Sequence, residues 1–339
     1  GANLPVESAN GFMCSTCHNE EAWPERYAVA SVTFPSGSTV SFGGKDADGN
    51  FVASTSLPGR AVGNLRQPNH LSSLLLWAAI ATVALAELGA LSRRLRQEVY
   101  GEDLGQTGWR MAEEQAEIAD WLQLGPGARV LDVCCGSGGP SLALAERTGC
   151  HVTGLDVEAV GVARAQAAAA ARGLQERTRF LAADCGGRFP FDNASFDAVL
   201  CVDAINHLPD RQGTLREWAR LLRPGGRLLY TDPCVITGPI AKPDLDVRAE
   251  LGFYLFVPFG HDEDALAAAG LTLLHREDRT AACAEIAARW HGFRKRHTEE
   301  LRREEGEAWY ARRQRFLATT AELARSRRLS RMLYLGMKQ

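Results

Sequence analysis

Residues 130–139, VLDVCCGSGG, combine a carboxylate with a glycine-rich loop. An apolar run ends at Asp132, and a loop containing Gly136 and Gly138 opens the next helical stretch. Glycine is needed where a backbone approaches a ligand closely or takes a positive φ. Asp156 follows 20 residues after Gly136 at the end of the next apolar run, where a carboxylate can accept both hydroxyls of a ribose. The spacing predicts a site for a nucleoside-containing cofactor.

Two details of this loop favour a cation over a dinucleotide. A dinucleotide fingerprint requires G-x-G-x-x-G, and counting from Gly136 the third glycine position is occupied by Ser141. Asp132 stands directly before the loop, where its charge would oppose a phosphate and suit a cation. S-adenosylmethionine, with an ammonium, a sulfonium and no phosphate, fits this arrangement better.

Short apolar runs and helical stretches alternate regularly from Ala128 onward, which predicts a parallel sheet with helices on both faces. The predicted strands are 128–133, 151–155, 178–182, 196–202, 226–231 and 271–276, with a closing strand at 332–337. The stretch 282–325 is long, charged and helical in pattern. In such sheets ligands bind at the carboxyl ends of the strands, so the loops after them position the chemistry.

Residues 100–235 resemble a class I S-adenosylmethionine-dependent methyltransferase. Besides the glycine-rich loop, the resemblance rests on AADC at 182–185, FDAVLCVDAINHLPD at 196–210 and LLRPGGRLLY at 221–230. It implies an α/β fold with a Rossmann-like seven-stranded methyltransferase sheet, helices on both faces, a helical cap from 282–325 and a small irregular N-terminal segment.

The resemblance also implies S-adenosylmethionine as the cofactor, with Asp184 contacting the adenine amino group. The cofactor-binding residues it implies are Asp132, Gly136, Ser137, Gly138, Asp156, Val157, Asp184, Cys185 and Cys201. Cys134 stands where the family usually has glycine, and we expect it to be tolerated.

Methyl transfer from a sulfonium is an in-line displacement, so alignment of the acceptor supplies much of the rate. An amine must present a free lone pair, and an oxygen acceptor needs a general base. The candidate catalytic residues follow the fourth and fifth strands and are His207, Asp203, Asn206 and Tyr230. His207 is the candidate base; in the alternative interpretation it only orients cofactor or substrate through a hydrogen bond.

The acceptor is expected to be a small molecule. Residues 100–109, YGEDLGQTGW, resemble the opening segment of glycine, sarcosine and dimethylglycine N-methyltransferases and their phosphoethanolamine relatives, which suggests an amine. The candidate substrate-binding residues are Tyr100, Trp109, Asp232, Arg248 and His261. Arg248 and His261 could reach a carboxylate or phosphate, although we expect each of them at the surface.

The composition changes near residue 67, which predicts three parts: a leader at 1–66, an apolar helix at 67–98 and the methyltransferase domain at 99–339. Within the leader, 29–42 is typical of two short strands around a turn. The run 71–91 is apolar but is interrupted by Glu87, whereas a membrane span needs about 20 apolar residues. We expect a buried helix; a span with the basic SRRLR on the cytoplasmic side is the alternative.

CSTCH at 14–18 matches the pattern for covalent haem c, with Cys14 and Cys17 attached and His18 ligating iron. Residues 1–60 resemble a fragment of a multihaem cytochrome c, although no further haem motif is present in the sequence. A vestigial, redox-inert or metal-binding pair is the alternative. A membrane-tethered haem-containing redox fusion is accordingly one competing function.

The overall composition is that of an ordinary globular protein, with 339 residues, 45% hydrophobic residues and a net charge of −3. These values exclude a disordered, collagen-like or disulfide-stapled chain and give no global attraction to nucleic acid. Residues 289–331 hold 13 Lys or Arg against 6 acids. We expect a solvated cap there, with a nucleic-acid methyltransferase as the alternative. Nine cysteines cannot all pair, and their positions in the predicted strands and loops favour mostly reduced thiols, so we expect a cytoplasmic enzyme.

Overall fold

The computed structural model describes residues 31–33, 39–45, 51–55, 64–65 and 90–339, with side chains from Leu91 onward. The four short leading strands are β1 (Ser31–Thr33), β2 (Thr39–Lys45), β3 (Phe51–Thr55) and β4 (Asn64–Leu65). They pair in chain order, each antiparallel to the next. Strand β1 and the first four residues of β2 fall within 29–42, where the sequence predicts two short strands.

Seven strands form the larger sheet. They are β5 (Arg129–Val133), β6 (His151–Asp156), β7 (Thr178–Ala182), β8 (Phe196–Cys201), β9 (Leu222–Ile236), β11 (Leu271–Asp278) and β12 (Leu329–Lys338), with the two-residue β10 (Val257–Pro258) paired to the end of β9. Their spatial order is β11, β12, β9, β8, β5, β6, β7. Strands β5 to β9 are parallel, whereas β12 is antiparallel to both its neighbours. The sheet is the Rossmann-like seven-stranded sheet that the sequence predicts.

Helices cover both faces of this sheet because alternate strand residues enter different apolar clusters. In β5, Leu131 packs in the cluster that contains Trp218, while Val130 packs in the cluster that contains Leu144. The helices of residues 90–339 are α1 (Ala90–Tyr100), α2 (Ala112–Trp121), α3 (Gly139–Thr148), α4 (Ala159–Ala171), α5 (Arg211–Leu221), α6 (Lys242–Arg248), α7 (His261–Ala268), α8 (Thr280–Arg296), α9 (Thr298–Glu305) and α10 (Glu307–Arg325).

The helical cap consists of α8, α9 and α10, which pack with α1 around their own apolar cluster. That cluster includes Leu95, Val99, Ile286 and Phe293. Several of its basic residues pair with acids; for example, Arg302 pairs with Glu307 at 2.8 Å and Arg289 pairs with Glu285. This charge pairing is typical of a solvated helical face rather than of a nucleic-acid surface.

No helix within the described residues is both long enough and apolar enough to span a bilayer. The run 71–91 lies outside the described residues except for its last two positions, which begin α1. The seven cysteines between residues 90 and 339 are all free thiols.

Candidate functional site

A cavity of about 320 Å³ opens at the carboxyl ends of β5, β6 and β8. One end is lined by the glycine-rich loop and by the residues that follow β6. The other end is lined by the loop after β8 and by side chains of α6, α8 and α10. The predicted site residues that line it are Asp132, Gly136, Ser137, Asp156, Val157, Asp203, Asn206, His207, Trp109 and Arg248.

Two buried carboxylates face the first end of the cavity. Asp132 accepts a 2.5 Å hydrogen bond from the Ser141 hydroxyl, and burial raises its pKa to about 6. Asp156 accepts the amides of Gly136 at 2.7 Å and Glu158 at 2.9 Å, and burial raises its pKa as well. Desolvated acids of this kind gain from a cationic ligand and repel a phosphate.

The backbone of the loop explains its composition. Gly138 has a φ of +74°, and a Cβ there would lie 2.5 Å from the Cβ of Ala165. Gly139 approaches the 101–110 segment so closely that a Cβ would overlap the carbonyl oxygen of Leu104. Cys134 has a φ of +60°, which is the left-handed region that glycine favours. The chain therefore tolerates a side chain at Cys134 at the cost of local strain.

Two residues at this end carry no motif that singled them out from the sequence. Glu158 accepts the amides of Val160 at 3.0 Å and Gly161 at 2.5 Å and so caps α4. Arg110 is buried and lines the cavity, and burial lowers its pKa despite the opposing charges of Glu114 and Asp132. The one feature of the sequence that could have identified Arg110 as a site residue is its position directly after the YGEDLGQTGW segment.

At the other end of the cavity, His207 has one ring nitrogen, Nε2, with a lone pair that can accept a hydrogen bond. Its Nδ1 lies 2.7 Å from the carbonyl oxygen of Phe253, which can only accept, so Nδ1 carries the proton. Burial lowers the pKa of His207 to about 4, which keeps the imidazole neutral at physiological pH. The lone pair of Nε2 lies 3.4 Å from the Asn206 amide nitrogen. Asn206 is fully buried, and its Oδ1 makes no hydrogen bond to the described part of the chain.

Asp203 is held by four hydrogen bonds to three residues. Its carboxylate accepts the Trp109 amide at 2.6 Å, the Thr231 hydroxyl at 2.8 Å and Arg331 Nε at 2.6 Å. Its own amide donates to the Thr231 hydroxyl at 2.8 Å. Arg331 in turn makes a bidentate ion pair with Glu114 at 2.6 and 2.7 Å. This buried network fixes Asp203 at a φ of +56°. Asp203 therefore shapes the site and does not serve as a free base.

The structure does not bring Tyr230, Asp232 and His261 to the cavity wall, which corrects their expected positions. Asp232 is fully buried in an ion pair with Arg211 at 2.7 Å. Arg211 also pairs with Asp262, which accepts the Tyr230 hydroxyl at 3.1 Å. His261 precedes Asp262 at the start of α7 and is only partly buried.

Five further predicted residues do not line the cavity. Gly138 shapes the loop, and Cys185 and Cys201 are buried in the apolar core. Asp184 is exposed and accepts the Gly186 amide at 2.9 Å. Tyr100 packs behind the wall, donating to the Gly108 carbonyl at 2.9 Å and accepting from Trp290 Nε1 at 3.0 Å.

Arg248 is 0% exposed, so its expected surface position is wrong. It ends α6, and its guanidinium carbon lies 4.7 Å from the ring centres of Tyr254 and Phe316 and 5.9 Å from that of Trp109. Trp109 and Phe316 are themselves stacked, with centroids 6.3 Å apart. We call these three rings the aromatic box.

The haem motif Cys14, Cys17 and His18 lies outside the described residues. Among the described residues no group of three or more His, Cys, Asp or Glu side chains has a metal-binding arrangement.

Comparison with known families matches residues 130–226 to a model described as a methyltransferase domain. A second model, for a protein glycosylation ligase, matches 61–86, of which the structure describes only β4. These comparisons give the cytochrome-like interpretation of residues 1–60 no support.

Curated relatives are similar over the same region. A sterol 24-C-methyltransferase from Gibberella zeae is 35% identical over 57% of this chain and 51% of its own length. The 27-O-demethylrifamycin SV methyltransferase of Amycolatopsis mediterranei is 30% identical over 61% of this chain and 82% of its own. Phosphoethanolamine N-methyltransferase 1 of Arabidopsis thaliana is 32% identical over 57% of this chain and 38% of its own. The chain thus spans only about half the length of the first of these relatives.

Among solved structures, the cyclopropane synthase MmaA2 from Mycobacterium tuberculosis superposes with a TM-score of 0.64 at 20% identity. The match covers 76% of this chain and 98% of that one. At this identity the likeness establishes the shared fold.

Proposed function

The chain belongs to the class I S-adenosylmethionine-dependent methyltransferases, and from that premise we propose that it methylates a small-molecule acceptor held at the His207 end of the cavity. The observation that carries the proposal is the continuity of the cavity, which joins the Asp132 and Asp156 carboxylates to His207 and Asn206. Because one cavity contains both ends, an acceptor can lie in line with the transferable methyl group.

The residues at the first end suit this cofactor. When bound, S-adenosylmethionine supplies a methyl group carried on a positively charged sulfur. Each Asp156 oxygen accepts one backbone amide and keeps lone pairs for the ribose hydroxyls. Asp132 supplies negative charge beside the loop, and Arg110 is placed to pair with the carboxylate of the methionine moiety.

The residues at the second end suit an acceptor that carries an N–H or O–H group. Asn206 Oδ1, which has no hydrogen-bond partner in the described part of the chain, accepts a hydrogen bond from that group and orients the lone pair of the acceptor toward the methyl. His207 Nε2 either receives the proton that the acceptor loses or holds the acceptor by a hydrogen bond. The low pKa of His207 makes it a weak base. If the acceptor is an amine, His207 is therefore expected to orient it by a hydrogen bond. His207 would act as a general base only for an acceptor with a more acidic hydroxyl group.

We propose an amine as the reacting group, supported by the resemblance of residues 100–109 and by the phosphoethanolamine methyltransferase among the relatives. The sterol and rifamycin methyltransferases among the relatives support a small acceptor more generally. We further propose a cytoplasmic location, supported by the seven free thiols of residues 90–339.

The proposal is tested by binding and transfer measurements on the full chain. We expect isotope-labelled S-adenosylmethionine to bind with micromolar affinity and NAD not to compete with it. A labelled-methyl screen across amines, phenols and small acids should then give product with at least one class. Displacement of the cofactor by NAD, or failure to bind it at all, would contradict the assignment.

A separate prediction concerns the protonation of His207. Its imidazole should titrate near pH 4, well below the ordinary 6.5, because burial disfavours the charged ring. The unfolded chain takes up this proton at higher pH than the folded chain does. The contribution of His207 to stability is therefore lost as pH falls from about 6.5 to about 4.

This titration is measured by NMR of histidine-labelled protein, with His207→Gln identifying the resonance. The thermal midpoint of the wild type should fall more steeply than that of His207→Gln between pH 6.5 and 4. A ring that titrates near 6.5, or that carries its proton on Nε2, would be inconsistent with the structure.

A further inference from the structure

Arg248 is a buried cation that forms no ion pair with a carboxylate among the described residues. It is 0% exposed, its guanidinium nitrogens find no well-formed hydrogen bond among the described residues, and its polar neighbour is the uncharged Tyr254 rather than an acid. Removing a charge from water is costly unless an opposite charge and hydrogen bonds replace the lost solvation. The position is therefore one at which an anion would be strongly favoured.

The acids nearest to Arg248 in sequence and in the site are already paired. Glu250, two residues later, pairs with Arg315 at 2.6 Å and Arg312 at 3.3 Å. Asp203 pairs with Arg331, and Asp232 pairs with Arg211. The anion that Arg248 needs is not supplied by these side chains.

The immediate surroundings of Arg248 are aromatic and apolar. The faces of the aromatic box offset part of the cost of burying the guanidinium. Leu251 and Leu317 add aliphatic surface to the same wall of the cavity. A ligand at this wall buries an apolar body and presents one charged group to the guanidinium.

We propose that the acceptor is a carboxylic acid with an apolar body, whose carboxylate is bound by Arg248 and whose body packs against the aromatic box. The inference rests on the proposed function, since it identifies the acceptor class of the same cavity. A planar carboxylate matches the guanidinium fork with two parallel hydrogen bonds. Binding at this point anchors one end of the acceptor in the cavity that also contains Asn206 and His207, with the Tyr254 ring between Arg248 and His207.

The test compares acids with their uncharged amides. The probes are phenylacetate and phenylacetamide, cinnamate and cinnamamide, and decanoate and decanamide, titrated into the full chain saturated with S-adenosylhomocysteine. Because Trp109, Trp290 and Trp309 line the cavity, their fluorescence reports binding. We expect at least one acid to bind about 10-fold or more tightly than its amide, as charge-assisted hydrogen bonds imply.

Arg248→Met should abolish this preference while retaining S-adenosylhomocysteine binding. Arg315→Met is the matched control, since Arg315 is exposed and pairs with Glu250 outside the cavity. It should keep the preference for the acid. Because cofactor binding is measured separately, loss of acid selectivity alone leaves the proposed function intact, whereas loss of cofactor binding by the wild type would contradict the proposed function itself.

Thermal unfolding provides an independent readout. Without ligand, Arg248→Met should unfold about 3 °C higher than the wild type, because an uncompensated buried charge is replaced by an apolar side chain. Saturating acid should raise the midpoint of the wild type and leave that of the variant unchanged. Equal affinity for acid and amide in every pair, selectivity that survives Arg248→Met, or tighter binding of phenyl phosphate than of phenylacetate would each overturn the proposal.

Discussion

Replacing Asp156 with alanine should weaken the binding of S-adenosylmethionine about 100-fold or more. The carboxylate makes charge-assisted hydrogen bonds, each worth about 1.5 to 3 kcal/mol, and the proposed ribose contacts would be lost together. The substitution also removes the acceptor for the amides of Gly136 and Glu158, which lie on the two sides of the cofactor end. Both loops would then be less well fixed. Calorimetric titration with the cofactor at fixed pH measures the effect.

Asp120→Ala is the matched control for this experiment. Asp120 is an exposed acid on α2 that does not line the cavity, so its removal changes the net charge by the same amount. We expect it to leave the dissociation constant within about twofold of the wild type, as surface charges contribute little. If Asp156→Ala binds the cofactor as tightly as Asp120→Ala does, Asp156 does not contribute to cofactor binding.

Arg331→Met should destabilise the folded chain by about 3 to 5 kcal/mol. Arg331 is fully buried between Glu114 and Asp203, and its loss leaves two buried carboxylates without a positive partner. Urea unfolding followed by fluorescence and by circular dichroism measures the change, provided that the two transitions coincide.

The double variant Glu114→Met with Arg331→Met separates ion pairing from packing. Removing the Glu114 carboxylate, which has lost its positive partner, should recover part of the lost stability. Asp203 still lacks Arg331 in the double variant, so the recovery is incomplete. Arg325→Met, an exposed position in the last turn of α10, serves as the surface control. A loss below about 1 kcal/mol for Arg331→Met would mean that water replaces the guanidinium at no great cost.

The sheet and the cofactor end of the site were predictable because the residues that form them lie close together in the sequence. The strand and helix alternation, the glycine-rich loop and Asp156 are each contiguous in sequence or lie one strand apart. The φ values of Cys134 and Gly138 follow from the tight turn between β5 and α3. The sequence therefore predicts both the loop and the charge of its ligand.

The acceptor end was less predictable because strand alternation and tertiary packing decide it. In β9, Thr231 faces Asp203, so Tyr230 and Asp232 face the opposite side of the sheet, toward Arg211. Placement at the carboxyl end of a strand is consequently not enough, since only one of two successive side chains points toward a given loop. Arg248 ends the short helix α6, which carries no recognisable motif, and no local pattern indicates that the cap buries it.

The ion pairs of Arg331 also bear on how the protein acquires its active form during synthesis. Strand β12 inserts between β9 and β11, and Arg331 lies 128 residues after Asp203 and 217 after Glu114. Contacts of such high sequence separation form slowly, because the entropy of closing the loop is lost before the contact stabilises the chain. We therefore expect Asp203 to gain its counterion only after residues 329–338 have left the ribosome. We expect the nascent chain to become able to bind its ligands in a single late step, and not gradually as successive strands emerge.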